Sequence, residues 1–373
     1  MNSTLKTYQA ELLVKGPVYV GSGKEIGKKE YVFLGGDRIG VLSPEKFYEE
    51  MKRRGKVRQF EKFLLENPRG DLTGWISKEG IRTTEINHCI RYTLKCRELV
   101  EARKNRSKLQ IMECIKDPYG KPYIPGSSIK GMLRTILLGC DMIENAKLYQ
   151  AGKSNMTYEL FSPNKGNKKT LLSRSVKKME TDYFRTLNRE GTKPEDAVND
   201  ILQGLIVSDS EPLELDDLTL SQAVELHTDG AEMVLPILRE SIKPGSRIRF
   251  TITIDPLCPI DIEYLEHAVK IFANQTYDNF GKKFPGLDRM RENQVLFGGG
   301  AGFVSKTIVY PLCGKDKGVR VTQKIFEKTD VTDKHKHSQD TKTGVSPHIQ
   351  KCTRYEGKLC KMGLCDISFK ELS

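Results

Sequence analysis

The sequence predicts an α+β protein made of two related units of the split βαβ kind, and three observations lead there. Residues 248–254 alternate Ile248, Phe250, Ile252 and Ile254 with Arg249, Thr251 and Thr253, the period-two signature of a half-buried strand. The segment after it, "IDIEYLEHAVKIFANQTYDNF", carries the apolar spacing of an amphipathic helix. Short strand-like runs closed by glycine-rich turns occur both before residue 45 and after residue 236, so strand, helix and strands occur twice.

The elements follow in order. "YQAELLVKGPVYVGSG" is a long extended stretch running into a glycine-rich turn, and "EYVFLGGDRIGVLSPE" reads as two short strands about Gly-Gly-Asp. A helix is expected from Pro44 to near Met51, then a charged, irregular region to near 110. "YIPGSSIKGMLRTILL" at 123–138 opens a second helix. Residues 141–235 are polar and helix-leaning, and read as an insertion. The strand signature then returns, "VLFGGGAGFVSKT" supplies a strand and a glycine loop, and "GLCDISF" is a last strand. The expected domains are 1–235, with the helical insertion at about 141–235, and 236–373 with the glycine loop.

The helix at 127–138 has an unusual start. Pro125 and Gly126 stop the preceding run, and Ser127 reads as the N-cap. Ile129, Met132, Leu133, Ile136 and Leu137 form one apolar stripe, while Lys130 and Arg134 share a polar face. A cation in the first turn opposes the macrodipole by a few tenths of a kcal/mol, where an acid would help. A bound anion would reverse that sign, since free N–H groups, serine hydroxyls and two cations would converge on it. The competing account is a capped surface helix with solvated cations.

Lysine and arginine outnumber aspartate and glutamate by 61 to 49, a formal net charge of +12 that suits a polyanionic partner. The charge is segregated. Residues 95–108 and 164–178 are basic, whereas 195–232 holds eleven acids and no lysine or arginine, which predicts faces of opposite sign. No apolar run approaches membrane-spanning length and "MNSTLKTYQAELLV" lacks a signal-peptide core, so a cytoplasmic protein is expected. Nine cysteines without a CxxC exclude a zinc ribbon and give no disulfide framework. Cys352, Cys360 and Cys365 with His335, His337 and His348 are a conceivable metal set, but the cysteines sit in strand-like text where a small buried hydrophobe is the default. No metal and no cofactor are expected.

The glycine motifs are informative by their failures. "VGSGKE" has Val18 and Glu25 where a phosphate-loop NTPase needs Gly and Ser or Thr, which removes that reading and leaves Gly21, Ser22, Gly23 and Lys24 as a turn open to close backbone approach. "GGGAGFVSK" keeps Gly302, Phe303 and Val304 of the RNP1 pattern, yet Ala301 and Lys306 occupy its flanking aromatic positions. Backbone N–H groups presented by Gly298, Gly299, Gly300 and Gly302 are the better use of such a loop. No nucleophile elbow, HExxH or paired-aspartate motif is present.

Together "YIPGSSIKGMLR", "LFGGGAGFVSKT" and "SPHIQKCTRYEGKLCKMGLCDISF" resemble the RAMP superfamily of CRISPR proteins, and within it the subunits that cap the type III-A Csm interference complex. The resemblance implies two ferredoxin-like (RRM-like) RAMP domains with a helical insertion, and a place at the 3′ end of the crRNA in contact with target RNA. It implies partners in the filament backbone subunit and the small helical subunit, and a part in crRNA maturation through separate host nucleases. Carried over by position, the RNA-binding elements are Ser127, Ser128, Lys130 and Arg134 on the helix and Gly298 to Gly302 on the loop; Phe303, Lys306 and the Gly21–Lys24 turn complete the expected set. Filament-forming relatives that cut RNA carry a catalytic aspartate before this helix. Here that position falls near Ile111, with Glu113 as a spare, so binding without cutting is expected. The alternative is a metal-dependent endoribonuclease trimming crRNA precursor, for which His348 and His88 are the histidines to test.

Overall fold

The structure, a computed structural model, describes residues 5–35, 37–68, 70–97, 99, 110–162, 168, 170–331 and 337–372. Most of the basic run at 95–108, part of that at 164–178, and His335 lie outside the described residues.

Along the chain, β1 (Lys6–Val14), β2 (Gly21–Ile26), β3 (Tyr31–Leu34) and β4 (Arg38–Leu42) precede the helices α1 (Pro44–Arg53), α2 (Val57–Glu66) and α3 (Leu72–Lys78). Next come β5 (Ile90–Lys95), β6 (Ile111–Cys114), α4 (Gly126–Glu144), α5 (Gln150–Phe161) and α6 (Ser173–Phe184). The strands β7 (Leu205–Val207), β8 (Leu218–His227), β9 (Glu232–Ile242) and β10 (Arg247–Ile254) lead to α7 (Ile262–Asn279) and β11 (Gln294–Leu296). The chain ends with α8 (Val309–Lys328), β12 (Ile349–Tyr355), β13 (Lys358–Lys361) and β14 (Leu364–Glu371).

Two sheets organise these elements. The first, in the order β11-β14-β1-β10-β7, is antiparallel throughout. The second runs β2-β6-β9-β8-β5-β4-β3, with parallel contacts at β6–β9 and β5–β8, and β12 and β13 extend from β8. Each sheet draws strands from both sides of residue 235, and β9 runs through that point.

Side-chain alternation explains the first sheet. Tyr8, Ala10 and Leu12 are buried and lie opposite Ile252, Phe250 and Ile248, the inward set expected from period two. The stripe of α4, Ile129 to Leu137, is buried in the same core. Gly139 lets α4 approach α7, because a Cβ there would sit 2.7 Å from the Phe272 ring.

Three expectations are corrected. The described residues of 52–95 form α2, α3 and β5 around Phe47, Phe60, Phe63 and Trp75, whose rings pack at 5.1 to 6.5 Å. These few aromatic anchors are hidden among charges in the sequence. The acidic stretch contains β8, buried along nearly its full length between β9 and β5, and the helical part ends before Leu205. Its acids meet the chain's own cations: Glu214 pairs with Lys121, Glu225 with Lys351, and Glu232 with Arg354. Finally, Gly21–Lys24 belong to the edge strand β2, bulged against β6, instead of a free turn. No helix among the described residues is long and apolar enough to cross a membrane.

Candidate nucleic-acid interface

The start of α4 is built by long-range contacts. Pro125, not Ser127, is the N-cap, and Ser127 is exposed without a capping bond. The Gly126 N–H donates to Asp209 Oδ1 at 2.7 Å, and a Cβ on Gly126 would lie 2.4 Å from the Val207 carbonyl oxygen. A carboxylate from 83 residues away therefore holds the position at the helix end that suits an anion.

Lys130 and Arg134 turn toward the end of the insertion. Lys130 Nζ donates to the Leu202 carbonyl at 2.7 Å, and burial holds its ammonium below the ordinary lysine range. Arg134 donates to Asp200 Oδ2 at 2.7 Å and lies over the Phe184 ring at 3.8 Å. Asp200 also accepts from the Leu202 N–H, which ties the segment to the helix. These two cations act as clamps.

The other flank of α4 faces the glycine loop. Ser128, Gly131, Met132 and Thr135 line a groove of about 470 Å³ with Val20, Gly21, Gly298, Gly299, Ser305 and Lys306. Gly298 and Gly300 adopt φ of 84° and 79°, conformations that L side chains avoid. Space matters as well, since a Cβ on Gly298 would lie 2.5 Å from the Tyr19 carbonyl oxygen that accepts from the Gly299 N–H. The Tyr19 ring fills the space beside Gly21 and Gly299.

Charge in this region is unbalanced. Arg239 on β9 packs its guanidinium against Gly300 and over Tyr19, 5.7 Å from the ring centroid, and its Nε is buried without a hydrogen-bond partner. Lys306 is exposed at the groove; desolvation by the surrounding protein first, and Arg239 second, hold its ammonium below the ordinary lysine range. Neither cation has a carboxylate within ion-pair distance among the described residues. Glu240, one residue on and fully buried, has no such lack: it takes Lys116 at 2.5 Å and the Tyr92 hydroxyl.

The structure thus divides the sequence-predicted set. Gly21, Ser128, Gly298, Gly299 and Lys306 share one groove, with Gly300 beside it; Gly302 and Phe303 lie on the loop's far side, where Phe303 packs on Phe326 at 5.2 Å. Ser22 donates to Glu113, Lys24 is exposed on β2, and Lys130 and Arg134 are elsewhere. Arg239 and Tyr19 were missed because no motif marks them; an arginine between the buried Leu238 and Glu240 was the only signal.

No histidine, cysteine or carboxylate is among the described residues lining the groove. His88 pairs with Glu50 at 3.3 Å, and the Asp340 carboxylate accepts from His348 Nδ1 at 2.6 Å and also holds His337. Ile111 is fully buried in β6. The conceivable cysteine–histidine cluster does not assemble in the described part: His337 and His348 gather at Asp340 without a cysteine.

Comparisons with known proteins bear on this geometry. Residues 11–346 match the RAMP superfamily. The chain is 28% identical to the CRISPR system Cms protein Csm5 of Mycobacterium tuberculosis over 99% of both chains. It is 27% identical to the protein of that name from Streptococcus thermophilus, over 83% of this chain and 82% of the other. A chain of the cryo-EM structure of a Csm-crRNA-target RNA ternary complex in a type III-A CRISPR-Cas system shares the fold, with a TM-score of 0.63 at 20% identity, over 97% of this chain and 100% of that one.

Proposed function

The chain belongs to the RAMP superfamily, and on that premise we propose that it is a non-catalytic RNA-binding subunit of a type III-A CRISPR interference complex, the counterpart of the Csm5 proteins it resembles. In that role it caps the filament at the 3′ end of the crRNA, contacts target RNA and supports crRNA maturation. One observation carries the binding role: part-buried Arg239 and exposed Lys306, neither with a carboxylate at ion-pair distance among the described residues, stand beside a glycine loop packed closely on Tyr19. Burying unpaired charge costs free energy, and a phosphate in the groove would offset it. Phosphate contacts are indifferent to base identity, which a guide-binding subunit requires. Among the described residues the groove is lined by no histidine, cysteine or carboxylate, which supports binding over cleavage.

The test is filter binding of labelled single-stranded RNA to wild type, Lys306→Ala and Arg239→Gln over a salt series, with and without Mg²⁺. Each lost phosphate contact should flatten the slope of log K against log salt by about 0.7. Both variants should bind more weakly, with intact RNA throughout. Equal binding by all three would remove the groove, and Mg²⁺-dependent cutting would establish the endoribonuclease instead.

A further inference from the structure

A second groove lies between α5 and α8. It measures about 630 Å³, and Lys153, Tyr158 and Phe161 from α5 face Lys317 and Arg320 from α8 across it. Helix α5 has apolar residues on two sides. Met156 and Leu160 are buried in the core, while Tyr158 and Phe161 are 79% and 52% exposed. Two exposed rings on one wall of a groove make an apolar patch able to receive a ligand.

The cations here are also unpaired. Lys153, Lys317 and Arg320 have no carboxylate within ion-pair distance among the described residues, although neighbouring surface lysines do: Lys324 pairs with Glu327 and Lys178 with Asp182. Lys153 and Lys317 both bear on the Cys313 thiol at the groove floor, so their charges converge. Cations in a row beside accessible ring faces are what a single strand needs, because phosphates follow the charge and bases stack on the rings. Tyr158 and Phe161 are one turn apart, about 4.5 Å along the axis, a step that suits neighbouring bases. An acidic protein surface would answer the cations but would need aromatic or guanidinium groups of its own for both rings.

We infer that the α5–α8 groove is a second binding surface for single-stranded RNA, separate from the glycine-loop groove. Its only common premise with the proposed function is that the chain meets RNA. The two surfaces are linked by α8, which starts just after Lys306 and is kinked at Gly314 (φ 69°, ψ −174°) ahead of Lys317 and Arg320. On this reading a strand leaving the glycine loop extends into the second groove.

The full chain should be tested with oligouridylates of two lengths, one short enough for one groove and one able to span both. The variants are Lys317→Ala/Arg320→Ala, Tyr158→Ala/Phe161→Ala and, as reference, Lys306→Ala. All the α5–α8 side chains changed are exposed, and thermal melts matching wild type confirm folding. The charge variant should weaken the long oligonucleotide only and flatten its salt slope by about 1.4, two contacts. The ring variant should weaken it at least about fivefold and abolish photocrosslinks from 5-bromouridine to the peptide carrying Tyr158 and Phe161. Unchanged long-strand binding in both variants while Lys306→Ala weakens both lengths would overturn this inference alone. The reverse pattern would sustain it and remove the glycine-loop reading. Normal RNA binding combined with failure to co-elute with purified filament subunits would make the groove a protein interface and overturn it too.

Discussion

Helix α4 carries polar residues on two flanks, and the fold treats them differently. On one, Lys130 and Arg134 reach a carbonyl, a carboxylate and an aromatic face supplied by residues 184–202. On the other, Ser128 and Thr135 look across a groove toward Lys306, behind which Arg239 stands without an anion. The first flank is complete as it is, and its cations hold the insertion in place. The second keeps a charge excess with no carboxylate at ion-pair distance among the described residues. What separates a structural cation from a binding one is therefore its partner, and position on the helix does not reveal it.

The largest effect should come from breaking the completed flank. Arg134→Ala removes a part-buried charged hydrogen bond and a ring contact, and should lower stability by about 2 kcal/mol in denaturant titration. The salt slope of RNA binding should not move. A slope flattened without loss of stability would mean that Arg134 meets phosphate, and the two flanks would lose their distinction.

A smaller effect separates the two glycine segments. Gly23 and Gly300 share nearly the same φ, 82° and 79°, so alanine at either should cost a similar 1 to 2 kcal/mol, roughly the left-handed penalty. Their surroundings differ. A Cβ at Gly23 meets nothing within 4 Å, whereas at Gly300 it would press on the Arg239 guanidinium and Met362 at 3.3 Å. Gly300→Ala should weaken RNA binding and Gly23→Ala should not. If both weaken it in filter binding, Ser22–Lys24 joins Gly21 in the interface.

The same contrast explains what was legible in the sequence. Strand β10, helix α7 and the apolar stripe of α4 announce themselves because one local period decides their burial. The cap of α4 was misread, since Ser127 is a good local candidate but Asp209 reaches the helix from another element. Strand β8 was hidden for a related reason. Its Thr219, Ser221, Gln222 and Glu225 are polar yet buried, and Glu225 is neutralised by Lys351 on β12, a partner no local window contains. The glycine loop was readable as a segment of close backbone approach, but Arg239 became visible only when β9 was set beside it. Local patterns gave elements; charge partners needed the tertiary fold.

The smallest effect is a pH dependence that distinguishes two lysines displaced in the same direction. Desolvation by the surrounding protein lowers the pKa of both Lys130 and Lys306, below the unfolded-chain value near 10.5. Between the folded pKa and that value the unfolded chain binds more protons, so each lysine makes stability rise with pH in this alkaline window. RNA separates them. A phosphate in the groove favours charged Lys306 and raises its pKa, so affinity should be level below the free-protein pKa and fall as pH climbs through it. Lys130, bonded to the Leu202 carbonyl away from the groove, should have no such influence. With 2′-O-methyl RNA, which resists alkaline hydrolysis, Lys306→Arg should remove the fall in affinity and Lys130→Met should leave it intact. If Lys130→Met is the variant that removes it, the anion sits on the clamp flank and the unpaired cations of the glycine loop have another use.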